Sequence, residues 1–470
     1  MSISAKYRSD SGEEMKKTEG PYHFIGIGGI GMSGLARLLL EQKQKVSGSD
    51  RAWNATVESL LEQGAEIYKG HAEKNILAAE TVVYSTDIAT DNVELLAAKT
   101  KGCTLLHRAE LLAELITKST SLAVAGTHGK TTTSSLLATL LIEAQLDPSF
   151  AIGGMLPAYK TNARIGKGKY FVIEADESDR SFLNYHPHGA IVTNIDFDHL
   201  SQYDGNRHLL IASFKKFILQ IKEFSHFFYC GDDVYLSTMQ LPGVSYGKDP
   251  SCKCCILSSY QKQFRSFFTI RFQDQVYSDI ELALIGNHNI LNATAVFGLG
   301  ISLGVSEACI RKAFKTFQGV LRRCEKKGVY REVSFYDDYA HHPTEIQATL
   351  QGIRKAIGQQ RLIAVFQPHR FSRTKECQGL YGNIFNDANH VILTDTYAAG
   401  EKCSGDFSSK IIQKEIQNNP AFTFEYISYQ NLSHHLSRLV QPNDVVITLG
   451  AGNITTIAAE TIALLMKENE

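Results

Sequence analysis

No stretch of this 470-residue sequence approaches the roughly 18–20 consecutive apolar residues that a helix needs to cross a bilayer. Neither sign of charge dominates: 48 Lys+Arg stand against 49 Asp+Glu, a formal net charge of -1. The chain therefore offers no basic field of the kind that nucleic acid exploits. A phosphorylated small molecule is still allowed, because it needs only local donors. Residues 1–20 are polar and charged and lack the apolar stretch of a signal peptide; they read as a disordered tail. The nine cysteines are odd in number and scattered, which argues against a disulfide framework and for reduced thiols in a cytoplasm. Their one cluster, Cys252, Cys254 and Cys255, lacks paired metal-ligand spacing and has no second cluster to match it. It reads as a strand or loop with incidental thiols.

What is present is a globular composition, 43% hydrophobic and 21% charged, on a chain too long for one ordinary core. Three segments follow the tail, at 21–118, 119–318 and 319–470. In the first, an apolar strand at 23–27 runs into glycines, then a helical pattern at 31–40, then a second strand at 45–49 ending on Asp50. Strand, glycine turn, helix, strand is a βαβ unit with a parallel sheet, and a strand at 81–85 continues it. The second segment opens with a strand at 121–125 and its own glycine loop, followed by strands at 170–173 and 190–193. Antiparallel pieces are expected at 269–272 and 279–284, then a helix at 289–303. The third alternates again, with strands at 362–366, 391–393 and 445–449.

The strongest local signal is Gly126-Thr127-His128-Gly129-Lys130-Thr131-Thr132-Thr133, between a strand and a helix. Such a loop turns backbone N–H groups toward an anion at a helix N-terminus. Lys130 then supplies a point charge for phosphates and Thr131 a hydroxyl ligand for Mg²⁺. The full pattern wants a glycine six positions before the lysine, where this chain has Val124, so the loop is a shortened variant. Lys130 is expected to be an exposed loop residue. Downstream, one apolar strand ends in Glu174-Ala175-Asp176-Glu177-Ser178-Asp179 and another in Asn194-Ile195-Asp196-Phe197-Asp198-His199. Acids at the carboxyl ends of parallel strands face the ligand crevice, although a solvated acidic loop reads the same way. His199 would be an unusual Mg²⁺ ligand, since that ion prefers oxygen.

Gly26-Ile27-Gly28-Gly29-Ile30-Gly31 fits the dinucleotide fingerprint, with Asp50 about where a ribose-binding acid would sit. Alone it suggests an NAD-dependent oxidoreductase. A glycine turn at a helix N-terminus, however, recognises a pyrophosphate whatever that pyrophosphate carries, and UDP-sugars carry one too.

Taken together, the phosphate loop and the two acidic strand ends resemble the central ATPase domain of Mur ligases. The resemblance runs on through Gly286-Asn287-His288-Asn289-Ile290-Leu291-Asn292-Ala293 and Gly319-Val320-Leu321-Arg322-Arg323. In the third segment, Asp337-Asp338-Tyr339-Ala340-His341-His342-Pro343-Thr344-Glu345 and Phe366-Gln367-Pro368-His369-Arg370-Phe371-Ser372-Arg373-Thr374 are similar to motifs of the family's alanine-adding branch. It implies an α/β protein of three domains: a Rossmann-like UDP-binding domain, a central P-loop-like ATPase domain with a parallel sheet plus a small antiparallel sheet, and a C-terminal Rossmann-like domain. It also implies ATP-dependent ligation of L-alanine to UDP-N-acetylmuramate through an acyl phosphate, in peptidoglycan precursor synthesis, by a monomer or weak homodimer.

By the same resemblance, Gly126, Thr127, His128, Gly129, Lys130, Thr131, Thr132, Asn289, Asn292 and Arg323 bind ATP. Lys130, Glu174 and His199 are catalytic, with Thr131, Glu174 and His199 holding Mg²⁺. Gly28, Gly29, Ile30, Gly31, Ser85, Thr86 and Arg108 face the UDP-sugar, and Tyr339, His341, Arg370 and Arg373 line the amino-acid pocket. The murein peptide ligase branch, which adds a tripeptide to the same nucleotide, is the alternative within the family; its first loop differs from the one here. Residues 206–216 and 324–327 depart from the family pattern, and no carbamylated lysine is assigned to Lys215 or Lys216.

Overall fold

The computed structural model describes residues 20–198, 200–401 and 408–467. Apart from Gly20, the expected tail therefore lies outside the described residues, as does His199. The chain forms two compact units, residues 1–117 and 118–470. Three sheets carry the architecture. No helix among the described residues is long and apolar enough to cross a membrane.

The first unit holds a five-stranded sheet, all parallel, in the order Glu66–Lys69, Val46–Asp50, Tyr22–Ile25, Thr81–Tyr84, Thr104–His107. The first strand ends two residues earlier than its apolar run suggests. Both Gly26 and Ile27 donate their N–H to the Ser49 carbonyl, at 2.8 and 3.0 Å, so the chain turns at once. Ile27 is apolar because it is buried beneath that turn. The helix Ile30–Glu41 follows directly.

The second unit contains the other two sheets. Its ten-stranded sheet is built around Thr120–Ala125, flanked by Gly189–Val192 and Tyr170–Glu174 in parallel register. Leu122, Ala123, Val124 and Ala125 are all buried; a strand covered on both faces reads as a continuous apolar run, which is why it was visible in the sequence. At one edge, Cys254–Lys262, Arg265–Phe272 and Gln275–Leu282 pair antiparallel. Cys254 and Cys255 open the first of these strands, with buried side chains. The third sheet has six strands, with Val445–Leu449 between Val333–Asp338 and Leu362–Phe366, all parallel; only Glu325–Tyr330 runs antiparallel, at the edge. The two sheets share one unit through side chains as well as chain connection: Phe264 stacks on Tyr336 with ring centres 5.1 Å apart, and Gln261 Nε2 donates to the Gly352 carbonyl at 2.8 Å.

Candidate active site

In the first unit, the glycine turn is braced by Asp50. Its carboxylate accepts the N–H of Gly28 at 2.8 Å and of Ala52 at 2.9 Å. Gly29 precedes the helix, Ile30 is exposed, and Arg108 opens the helix Arg108–Ile116 with its side chain beside Gly31. Ser85 and Thr86 follow the strand Thr81–Tyr84, with the Thr86 hydroxyl 3.1 Å from His107 Nε2. Thus the glycine turn, the Ser85–Thr86 strand end and Arg108 all lie at the carboxyl ends of this sheet or at a helix start, positions that favour an anion.

In the second unit, the strand Thr120–Ala125 delivers the phosphate loop and the helix Lys130–Glu143 carries it away. Gly126 has φ +131°, and a Cβ there would lie 2.0 Å from Thr193 Oγ1, so only glycine fits. Lys130 is not an exposed loop lysine. Its side chain is 13% exposed, and its ammonium donates to the carbonyls of Gly126 and Thr127 and to Glu177 at 2.6 Å. Burial opposes the charge, but Glu177, Asp176 and Glu174 outweigh it and hold the Lys130 pKa above the ordinary lysine value. Burial pushes the Glu177 carboxyl upward. Nothing in the acidic run of the sequence distinguishes Glu177 from its neighbours.

Glu174 accepts the Thr131 hydroxyl at 3.0 Å and the Gly153 N–H at 2.7 Å. A Cβ on Gly153 would sit 2.7 Å from that carboxylate, so the glycine makes room for it. A hydroxyl and a carboxylate in contact, facing the start of the loop helix, are the oxygen donors that Mg²⁺ prefers. Glu174→Gln keeps this shape and removes the charge; turnover should fall sharply and recover in part as Mg²⁺ is raised. Wild-type turnover that ignores metal concentration would remove Glu174 from the site.

Asn292, on the helix Asn287–Ser302, lies against the loop: a Cβ on Gly129 would be 3.0 Å from its amide. Asn289 donates to the Ile285 carbonyl at 2.8 Å and sits one turn away. Thr132 is buried within the loop helix.

His128 links the loop to the third sheet's domain. Its Nε2 lies 2.9 Å from Asp196 and its Nδ1 3.2 Å from Glu345. Burial opposes protonation, but the two carboxylates outweigh it and bring His128 up to about 9. A pKa raised above 6.5 contributes stability fully present below pH 6.5 and lost as pH rises through about 9. Thermal melts should show that loss over this window, and His128→Gln should lack that component of the slope. Thr344 also donates to Asp196, at 2.9 Å. A few residues on, Arg373 pairs with Asp198 at 3.3 Å, both side chains buried.

Around His369 the rings gather. His341 lies 6.0 Å from His369 and 5.4 Å from Tyr339, and His369 stacks on Tyr397 at 5.6 Å. Burial pushes His341 down to about 4 and His369 down to about 3, so both are neutral near pH 7. Arg370 stands at φ +67°, its N–H donating to the Tyr397 carbonyl at 2.9 Å. The guanidinium groups of Arg322 and Arg323 lie over the Tyr339 ring, at 4.8 and 5.3 Å. The structure therefore brings Tyr339, His341 and His369 together, stacks Tyr397 on His369, sets the Arg370 backbone against Tyr397, and places Arg373 between Asp198 and His369, 3.4 Å from the His369 Nδ1.

A phosphate loop with its acid-held lysine, a hydroxyl–carboxylate pair and a second domain tied to the loop by His128 describe an enzyme that activates a substrate with ATP. Matching family models cover the chain in three parts: the Mur ligase family catalytic domain over residues 21–120, the middle domain over 124–300 and the glutamate ligase domain over 322–452. The chain belongs to the Mur ligase family. It is 56% identical over 446 residues to the UDP-N-acetylmuramate–L-alanine ligase of Protochlamydia amoebophila, covering 95% of this chain and 98% of that one. A crystal structure of UDP-N-acetylmuramate-alanine ligase from Thermotoga maritima is similar with a TM-score of 0.82 at 25% identity, over 95% of this chain and 99% of that one. A murein peptide ligase from Psychrobacter arcticus shares the fold, with a TM-score of 0.69 at 23% identity over 94% and 98% of the two chains.

Proposed function

We propose that this chain joins L-alanine to the lactyl carboxylate of UDP-N-acetylmuramate with cleavage of ATP, in the cytoplasm, as a monomer or weak homodimer. The observation that carries the reading is the union, within one compact unit, of the Lys130–Thr131–Glu174 corner with the His341–His369–Arg373 cluster that Arg370 adjoins in the chain, through His128 and Glu345. A carboxylate and a phosphate repel, so transfer of the terminal phosphoryl group depends on charge neutralisation and positioning. Lys130 provides a fixed cation there, and the loop N–H groups hold the phosphates in line. Thr131 and Glu174 would hold Mg²⁺, which neutralises phosphate charge when bound. The amino acid is gripped by its carboxylate, a task for the Arg370 guanidinium. Its amine then attacks the acyl carbon and phosphate departs. In the first unit, the glycine turn, Ser85, Thr86 and Arg108 would take the UDP pyrophosphate.

The test is an amine panel: phosphate release from ATP with UDP-N-acetylmuramate and each amino acid in turn. L-alanine should give the highest kcat/KM. A response confined to the tripeptide would make the chain a murein peptide ligase, and no release with any amine would refute ligation. Selectivity over glycine rests on one methyl group, worth about 1–3 kcal/mol.

A further inference from the structure

Beyond the tie between His128 and Glu345, three side chains near the loop converge on one point. His128 Nε2, Asp196 Oδ2 and His342 Nδ1 lie within 4.8 Å of one another. His342 is 3% exposed, and its buried Nδ1 makes no hydrogen bond. It stops 3.7 Å from Asp196 Oδ2, while His128 Nε2 is 2.9 Å from the same oxygen. A tetrahedral ion with bonds of about 2.0–2.1 Å separates its donors by roughly 3.3–3.4 Å, a value between those two distances.

We propose that His128 Nε2, Asp196 Oδ2 and His342 Nδ1 form a site for a borderline divalent cation of the Zn²⁺ or Co²⁺ class, clasping the phosphate loop to the C-terminal domain. Two imidazoles and one carboxylate suit such an ion and disfavour Mg²⁺, which separates this site from the all-oxygen Thr131–Glu174 pair. Three protein ligands leave one position open. The surroundings are those of a supported ligand set. Glu345 Oε1 lies 3.2 Å from His128 Nδ1, and a carboxylate on the far ring nitrogen fixes the tautomer that turns Nε2 to a metal. Thr344 orients Asp196 by its hydroxyl, at 2.9 Å. On binding, the proton that His128 shares with Asp196 leaves to solvent. His128 and Asp196 come from the central sheet's loops, whereas His342 precedes the helix Pro343–Ile357. The ion is therefore bound only while the C-terminal domain is docked.

The full chain, free of nucleotide, is titrated with Co²⁺ in excess Mg²⁺, following the visible d–d absorption of tetrahedral cobalt, with bound metal counted by equilibrium dialysis against Zn²⁺. The wild type should take up one ion with the tetrahedral band. His342→Ala should lose that ion and its band, and Glu345→Gln, which removes no ligand, should weaken binding by about 10–100-fold. Melts in chelator verify that each variant is folded; Asp196→Asn replaces His342→Ala should the latter unfold. Equal uptake and an unchanged band in the folded ligand variant, or no band in the wild type, would overturn the assignment. None of these readings depends on which amine the enzyme ligates.

Discussion

Lys130→Ala is expected to stop phosphate release, lowering the rate by about 10²–10³-fold or more, the scale of removing one electrostatic stabiliser at a transition state. The variant should also be less stable. Lys130 is the cation that answers the buried Glu177 at 2.6 Å, and removing one member of a buried pair costs about 3–5 kcal/mol. The lower end is expected here, because Glu177 can take a proton once the lysine has gone. Adding Glu177→Gln to Lys130→Ala should restore much of the melting temperature and none of the activity. Full turnover with ordinary ATP affinity in Lys130→Ala would refute the phosphate-loop assignment outright.

Arg373→Ala is expected to destabilise the second unit by about 3–5 kcal/mol, again by stranding a buried charge. Asp198 and Arg373 are 3.3 Å apart and almost fully buried, and they join the end of a central strand to the start of a helix in the C-terminal domain. A double-mutant cycle with Asp198→Asn, followed by denaturant unfolding, should give a combined loss well below the sum of the two. Arg370→Lys should act differently, raising the KM for L-alanine far more than that for ATP while leaving stability nearly unchanged. A wild-type melt for Arg373→Ala would refute the stabilising pair, and a raised alanine KM would support its place in the amino-acid pocket, where it lies 3.4 Å from His369.

The two arginines mark where the sequence was legible and where it was not. The fold class was readable because each phosphate-binding turn sits between an apolar strand and a helix start, a pattern set by residues close in the chain. Thr131 and Lys130 were readable for the same reason. Arg370 and Arg373 follow one strand end and looked equivalent, but the partner that divides them, Asp198, lies 175 residues away. His128 likewise reads from the sequence as an ATP-binding loop residue, whereas its partner Glu345 is 217 positions distant. No local period carries such pairings. The available signal was the gathering of carboxylates after the strand Gly189–Val192, at Asp196 and Asp198, and in the first turn of the helix Pro343–Ile357, at Glu345. Glu177 was hidden differently: in a run of acids, which one turns inward is decided by the turn that follows. Here the buried Tyr203 hydroxyl donates to the Glu177 carbonyl at 2.5 Å.

The charge around Lys130 also bears on which form of the nucleotide should be admitted. Its single ammonium already faces Glu174, Asp176 and Glu177, so the pocket is anionic before any phosphate arrives. A bare triphosphate would bring several more negative charges into a region shielded from water, where like charges repel far more strongly than in bulk solvent. Entry as the salt with a divalent cation removes two of those negative charges, and the Thr131–Glu174 oxygens would share the cation's positive charge. The acids are thus expected to disfavour the metal-free nucleotide more than its salt with a divalent cation, by the surplus of their own charge.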